Sequence, residues 1–87
     1  MIKDMSFGAI FHDIRIGSRE TLREYCLKRK LDPGNISKLE RNLIAPPNTM
    51  EQLKKYLKGL RYTDLAFDLL LTAAVNYHIR SIHERFK

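Results

Sequence analysis

Thr21-Leu22-Arg23-Glu24-Tyr25-Cys26-Leu27-Lys28-Arg29-Lys30-Leu31-Asp32-Pro33-Gly34-Asn35-Ile36-Ser37-Lys38-Leu39-Glu40-Arg41-Asn42 is the stretch whose reading decides the fold. It holds two helix starts. Thr21 and Glu24 have the spacing of a capping box, in which the hydroxyl takes one free backbone N–H and the carboxylate reaches back to another. Asp32 followed by Pro33 is a second start, an N-cap with proline at the first helical position. The two signals predict one helix over residues 22–30 and another over 33–41, with a joint too tight for a strand between them. Ile36 and Leu39 mark the buried side of the second helix. Pro33, Gly34, Asn35 and Lys38 are left on its outward side, near its start.

Working outward, Ser6 caps a first helix over 7–16, with Phe7, Ile10, Phe11 and Ile14 on one face and Gly17-Ser18 ending it. The loop over 42–48 contains Pro46-Pro47, which cannot continue a helix. Thr49 opens a fourth helix whose Leu53, Tyr56, Leu57 and Leu60 recur at helical spacing. Its other face carries Lys54, Lys55 and Lys58 and reads as solvated. From Thr63 to Phe86 apolar residues cover more than one helical face, and such a helix must be buried on several sides. The other four helices can cover one. The remainder needs a partner, most simply a second copy, with Leu65, Leu69, Ala73, Tyr77 and Ile82 near the contact. The alternative is a shorter helix that breaks near Asn76 and sits wholly in the core. No segment alternates like a strand, so the expected class is all-α, five helices in one domain over 1–87.

The net charge of +6 and a pI near 9.7 suit a polyanionic partner, although many small domains are mildly basic. The single Cys26 forms no internal disulfide, and a buried small hydrophobe is its expected role. Met1-Ile2-Lys3-Asp4 does not open an apolar core of signal-peptide length. The run Leu69 to Val75 lies between Asp68 and Asn76 and is too short to span a bilayer. The cytoplasm is therefore the expected compartment, with no membrane partner. His12, His78 and His83 share no metal-ligand spacing, and no nucleophile elbow, phosphate loop or CxxC occurs. No enzyme, cofactor or metal is expected.

Helix, short turn, helix in a basic chain is the pattern of a DNA-reading unit, in which early outward residues of the second helix reach base edges. Asn35 can offer donor and acceptor to adenine, and Lys38 can donate to guanine or phosphate; Asn35 can equally be a solvated amide, whereas for Lys38 the motif favours the contact over a solvated cation. Pro33 and Gly34 would lie at the same edge without polar side chains. Ser37, Arg41, Arg23, Asn42 and Asn48 are the candidate phosphate contacts.

Leu22-Arg23-Glu24-Tyr25-Cys26, Asp32-Pro33 and Ile36-Ser37-Lys38-Leu39-Glu40-Arg41 resemble the Cro/lambda-repressor (XRE) helix-turn-helix family, over roughly residues 7–60. The resemblance implies a five-helix fold with residues 63–87 as an added C-terminal segment. It implies pairing of Arg15 with Glu40, a structural link that is not itself a DNA contact. It also marks departures. Leu22 stands where glutamine is usual, Glu20 where an apolar residue is usual, and Lys30 and Asn42 where glycine takes the left-handed turn conformation. Small members of the family serve either as dimeric repressors or as antitoxins that hold a toxin through the C-terminal segment. Double-stranded DNA, a second copy and a cognate toxin are thus the expected partners.

Overall fold

A computed structural model describes residues 5–86; the N-terminal Met1–Asp4 reading and Lys87 lie outside them. Five helices follow one another, α1 (Phe7–Gly17), α2 (Leu22–Arg29), α3 (Pro33–Glu40), α4 (Met50–Leu57) and α5 (Asp64–Arg85). Each begins where a short polar side chain can replace the missing i→i−4 partner of the first turn. Ser6, Thr21, Asp32, Thr49 and Thr63 accept from the backbone N–H groups of Ala9, Glu24, Asn35, Gln52 and Ala66. The Thr21–Glu24 capping box is complete in both directions.

The exits of α1, α2 and α3 share another device. Arg19, Lys30 and Asn42 have positive φ (60°, 56° and 61°). The residue after each donates back five positions, Glu20 to Arg15, Leu31 to Cys26 and Leu43 to Lys38, which satisfies carbonyls that the helix end orphans. The expected helix over 22–30 therefore ends one residue earlier, because Lys30 is left-handed. The helix over 33–41 ends at Glu40, with Arg41 as its cap.

α1 packs on α3 and α5, and α2 packs on α3. The core lies between them, built from Phe7, Ile10, Phe11 and Ile14 of α1, Tyr25 and Cys26 of α2, Ile36 and Leu39 of α3, Leu53 and Leu57 of α4, Leu60, and Leu70 and Ala74 of α5. Phe11 sits at its centre, edge-on to Tyr25 at 5.6 Å between centroids and tilted against Tyr56 at 6.2 Å. Burial pushes the Cys26 thiol pKa up, which suits an inert packing group.

α1 and α3 approach most closely at Gly8. A Cβ there would lie 2.5 Å from the Glu40 carbonyl oxygen, 2.6 Å from that of Leu39 and 2.7 Å from Asn42 Oδ1. Asn42 holds this junction from the other side: its Oδ1 accepts from Gly8 N–H (2.9 Å) and its Nδ2 donates to Ser6 Oγ (2.9 Å).

α5 is one unbroken 22-residue helix, about 33 Å long, and does not break at Asn76. Leu70 and Ala74 enter the core; Ala66, Phe67, Leu69, Leu71 and Ala73 pack partly against it. Beyond Ala74 the helix touches the loop before α4, where His78 Nε2 lies 2.9 Å from the Pro46 carbonyl oxygen, and Val75, Tyr77, Ile79, Ile82 and Phe86 are exposed. Among the described residues no helix is long and apolar enough to cross a membrane.

Two substitutions test the backbone account. Gly8→Ala should destabilise by about 1–3 kcal/mol despite alanine's higher helix propensity, because backbone carbonyls occupy the space. Lys30→Gly should stabilise by roughly 0.5–1 kcal/mol, the steric relief at positive φ exceeding the added chain entropy. Thermal melts should move in opposite directions; a Gly8→Ala melt at or above wild type would refute the close approach.

Candidate nucleic-acid interface

The outward side of α3 is set by what its inward side must do. Ile36 and Leu39 are buried, and helical geometry then leaves Pro33, Gly34, Asn35, Lys38 and the cap Arg41 in solvent. Asn35 donates its backbone N–H to the Asp32 carboxylate, and its side chain is exposed. Ser37 is half-buried, and its carbonyl receives the Arg41 Nε (3.4 Å). Ser37, Glu40 and Arg41 form one wall of a shallow groove whose other wall is Ala9, His12 and Asp13 of α1.

α3 is fixed to α1 by charge. Arg15, 5 % exposed, makes a two-pronged bond to Glu40, Nε to Oε2 at 2.6 Å and Nη2 to Oε1 at 2.9 Å. Its Nη1 donates to the Glu20 carbonyl (2.9 Å), so the guanidinium also holds the link between α1 and α2. His12 Nδ1 lies 2.9 Å from Glu40 Oε1. Burial raises the Glu40 pKa, but the hydrogen bonds from Arg15 and His12 outweigh it and hold the carboxyl below the ordinary glutamate range. The Glu40 hydrogen bond raises the pKa of Arg15 in turn.

A second charged link closes the other end. The Arg29 guanidinium lies over the Tyr25 ring, 4.1 Å from its centroid. It donates from Nη1 to Glu20 Oε1 (2.8 Å) and to the Tyr25 carbonyl (3.0 Å), and from Nε to the Lys58 carbonyl (2.8 Å). The Tyr25 hydroxyl donates to the Tyr56 carbonyl (2.5 Å), so α2 is tied to α4 twice. Glu20 thus serves both links, carbonyl to Arg15 and carboxylate to Arg29. The Arg29 bond, then that of Lys28, holds its carboxyl pKa low against the opposing effect of burial.

The remaining phosphate candidates are scattered. Arg23 is exposed on the first turn of α2. The Asn42 amide is committed to the α1–α3 junction, since both its ends are engaged there. Asn48 lies with Pro47 and Met50 beside Val75 and Ile79 of α5, away from α3. Among the five C-terminal contact candidates, Leu65, Tyr77 and Ile82 are exposed, whereas Leu69 and Ala73 rest partly on the chain's own core. The free apolar stripe runs instead through Val75, Ile79, Ile82 and Phe86. It borders a cleft of about 330 Å³ lined also by Met50, Leu53, Leu71 and His78.

Sequence reasoning missed His12, Glu20 and Arg29. His12 stands one turn before Arg15, and that i, i+3 spacing is a usable signal. The dual part of Glu20 leaves no trace in local sequence.

The structure is similar to that of the clp gene regulator ClgR from Corynebacterium glutamicum, with a TM-score of 0.58 and 26 % identity, over 92 % of this chain and 81 % of that one. No protein-family model matches the sequence, and no curated protein is similar to it. Over the described residues the fold is all-α, with five helices, and of the helix-turn-helix type, α2 and α3 standing at the motif.

Glu40→Ala leaves Arg15 buried with one carbonyl partner and should cost about 3–5 kcal/mol. The pH dependence has a fixed sign. A lowered carboxyl pKa adds stability that is complete above the unfolded-state value of about 4.3 and is lost as pH falls through the folded-state value. Chemical denaturation across this acid range should show a smaller loss in Glu40→Gln than in wild type. Equal slopes would mean that the Glu40 carboxyl is not engaged in solution.

Proposed function

We propose that this protein is a sequence-specific DNA-binding transcriptional regulator, most simply a dimeric repressor. The observation that carries the reading is the exposed N-terminal half of α3, held rigidly by the Arg15–Glu40 pair on a helix-turn-helix frame. Likeness to a solved gene regulator supports it. In this reading α3 enters the major groove, with Asn35 and Lys38 reading base edges while Pro33 and Gly34 allow close approach. Ser37, Arg41 and Arg23 hold the sugar-phosphate backbone, and the protein works in the cytoplasm. Residues 7–60 are the reading unit and residues 63–87 the association segment.

Two readable side chains per subunit are few. Pairing of two subunits doubles them and sets the half-site spacing near one DNA turn. The stripe Val75–Ile79–Ile82–Phe86 supports such pairing, since contiguous exposed apolar surface marks association sites. Asp64 and Asp68 stand near one end of α5 and Arg80 and Arg85 near the other, so two antiparallel copies set unlike charges against each other. A toxin covering the same stripe would make the protein an antitoxin.

Binding to random duplex should weaken steeply with salt, log affinity falling by roughly 0.9 per phosphate contact per decade. Asn35→Ala and Lys38→Ala should each reduce discrimination between a selected site and random DNA by about 1–3 kcal/mol, while Arg41→Ala weakens both alike. An unchanged specific-to-random ratio would remove these side chains from base reading.

Sedimentation at tens of micromolar should give a dimer, and Val75→Glu with Ile79→Glu a folded monomer. A wild-type monomer that forms a stable complex with the product of a neighbouring gene through α5 would replace the repressor by the antitoxin.

A further inference from the structure

Most of the positive charge does not lie on α3. A hollow of about 450 Å³ between the C-terminal ends of α2 and α4 is lined by Glu20, Lys28, Arg29, Lys30, Lys55, Lys58 and Gly59. Lys54 borders the adjoining surface with Lys55, Lys58, Tyr62, Asp64 and Phe67. Six of the sixteen Lys and Arg residues of the chain gather here, and none of the lining residues comes from α3.

The fold does not need this much charge. Two helix C-termini meet at the hollow and bring about half a negative charge each; Glu20 brings one more. Arg29 answers most of that demand alone, through its bonds to Glu20 and to the Tyr25 and Lys58 carbonyls. Lys28 reaches Glu20 loosely, at 3.3 Å. Among the described residues the ammonium groups of Lys30, Lys54, Lys55 and Lys58 have no hydrogen-bond or ion-pair partner. Lys54 and Lys55 lie on the last turn of α4 and Lys58 caps it, so three like charges crowd one helix end. With Asp64 on the adjoining surface also counted, about three positive charges remain in excess.

We propose that this α2–α4 flank is a second, sequence-independent contact surface for the phosphodiester backbone of duplex DNA, engaging DNA outside the stretch that α3 reads. The proposal rests on the DNA-binding reading above. The chemistry selects this ligand in three ways. Arg29, the one guanidinium, is fully engaged within the protein, so no rigid fork is offered to a single phosphate or carboxylate. What remains is lysine, a mobile point charge on a flexible stem, suited to a diffuse line of charge. The hollow itself contains no Asn or Gln that could read a base edge and no apolar side chain; the aromatic rings of the adjoining surface, Tyr62 and Phe67, stack on each other, 6.1 Å between centroids.

The test compares Lys54→Gln/Lys55→Gln/Lys58→Gln with Asn35→Ala/Lys38→Ala. All three lysines are exposed, and glutamine keeps helix propensity, so the first variant should fold as wild type does, as circular dichroism would verify. Affinity is measured against salt on a selected-site duplex of about 20 base pairs, two turns, and on a random duplex several times longer. On the long duplex the triple variant should show a log–log salt slope smaller by about 2–3, with its specific-to-random ratio unchanged. On the short duplex it should change little. Capture of a labelled second duplex by bead-held complex, lost in the triple variant, would identify a separate DNA molecule as the source. A gain confined to longer single duplexes would identify flanking DNA. A wild-type slope in the triple variant, alongside lost discrimination in Asn35→Ala/Lys38→Ala, overturns the flank and leaves the proposed function standing. Wild-type protein that binds neither duplex overturns both.

Discussion

The two-pronged bond between Arg15 and Glu40 is the constraint on which the rest of the structure depends. It joins the last turn of α1 to the last turn of α3 across 25 residues of sequence, and both groups are almost wholly buried. A buried ion pair is a weak source of net stability, because desolvation consumes most of the attraction. Its value here is directional. A guanidinium and a carboxylate meet in a plane, so the pair fixes rotation as well as distance. Gly8 and Asn42 add a second point of contact between the same two helices, at the other end of α1. Both contacts grip the C-terminal end of α3, and the packing of α2 on α3 completes the aim of its outward residues.

The same logic extends through Glu20. Its carbonyl receives Arg15 and its carboxylate receives Arg29, which in turn grips the α4 end and covers the Tyr25 ring. One residue in the α1–α2 link thus connects both charged clamps. Glutamate at a position where the resemblance leads one to expect an apolar side chain is therefore no defect in the core; the carboxylate replaces apolar packing with ionic closure. Leu22, where glutamine would be usual, packs partly on the core, so α2 is braced by burial there.

What could be read in the sequence is what short-range chemistry determines. Four of the helix starts, at Ser6, Thr21, Asp32 and Thr49, are visible because Ser, Thr and Asp caps act within three residues of themselves; Thr63 caps α5 by the same chemistry. The strain at Lys30 was legible from the motif, and the inward pair Ile36 and Leu39 from spacing alone. The exits were harder: Arg19 adopts positive φ without any residue preference to announce it. The site was half legible. Asn35 and Lys38 follow from periodicity, but the engagement of Asn42 with Ser6 and Gly8 spans more than 30 residues and has no local signature. On α5 the surplus of apolar residues was plain, yet which of them the core takes depends on where α1 lies. Leu69 and Ala73 therefore rest on the core, while Val75 and Ile79 do not.

The overhang of α5 has a consequence for how the protein lives in a cell. Its first half is held by the core, whereas the last turns, beyond the His78 contact with the Pro46 carbonyl, bury little and open more readily. Degradative enzymes act on segments that open, so the half-life of an isolated subunit is set by those last turns and not by the global stability. Whatever covers the stripe closes that vulnerability. Under the proposed pairing, abundance would follow occupancy, since a subunit without a companion exposes the segment that opens most readily.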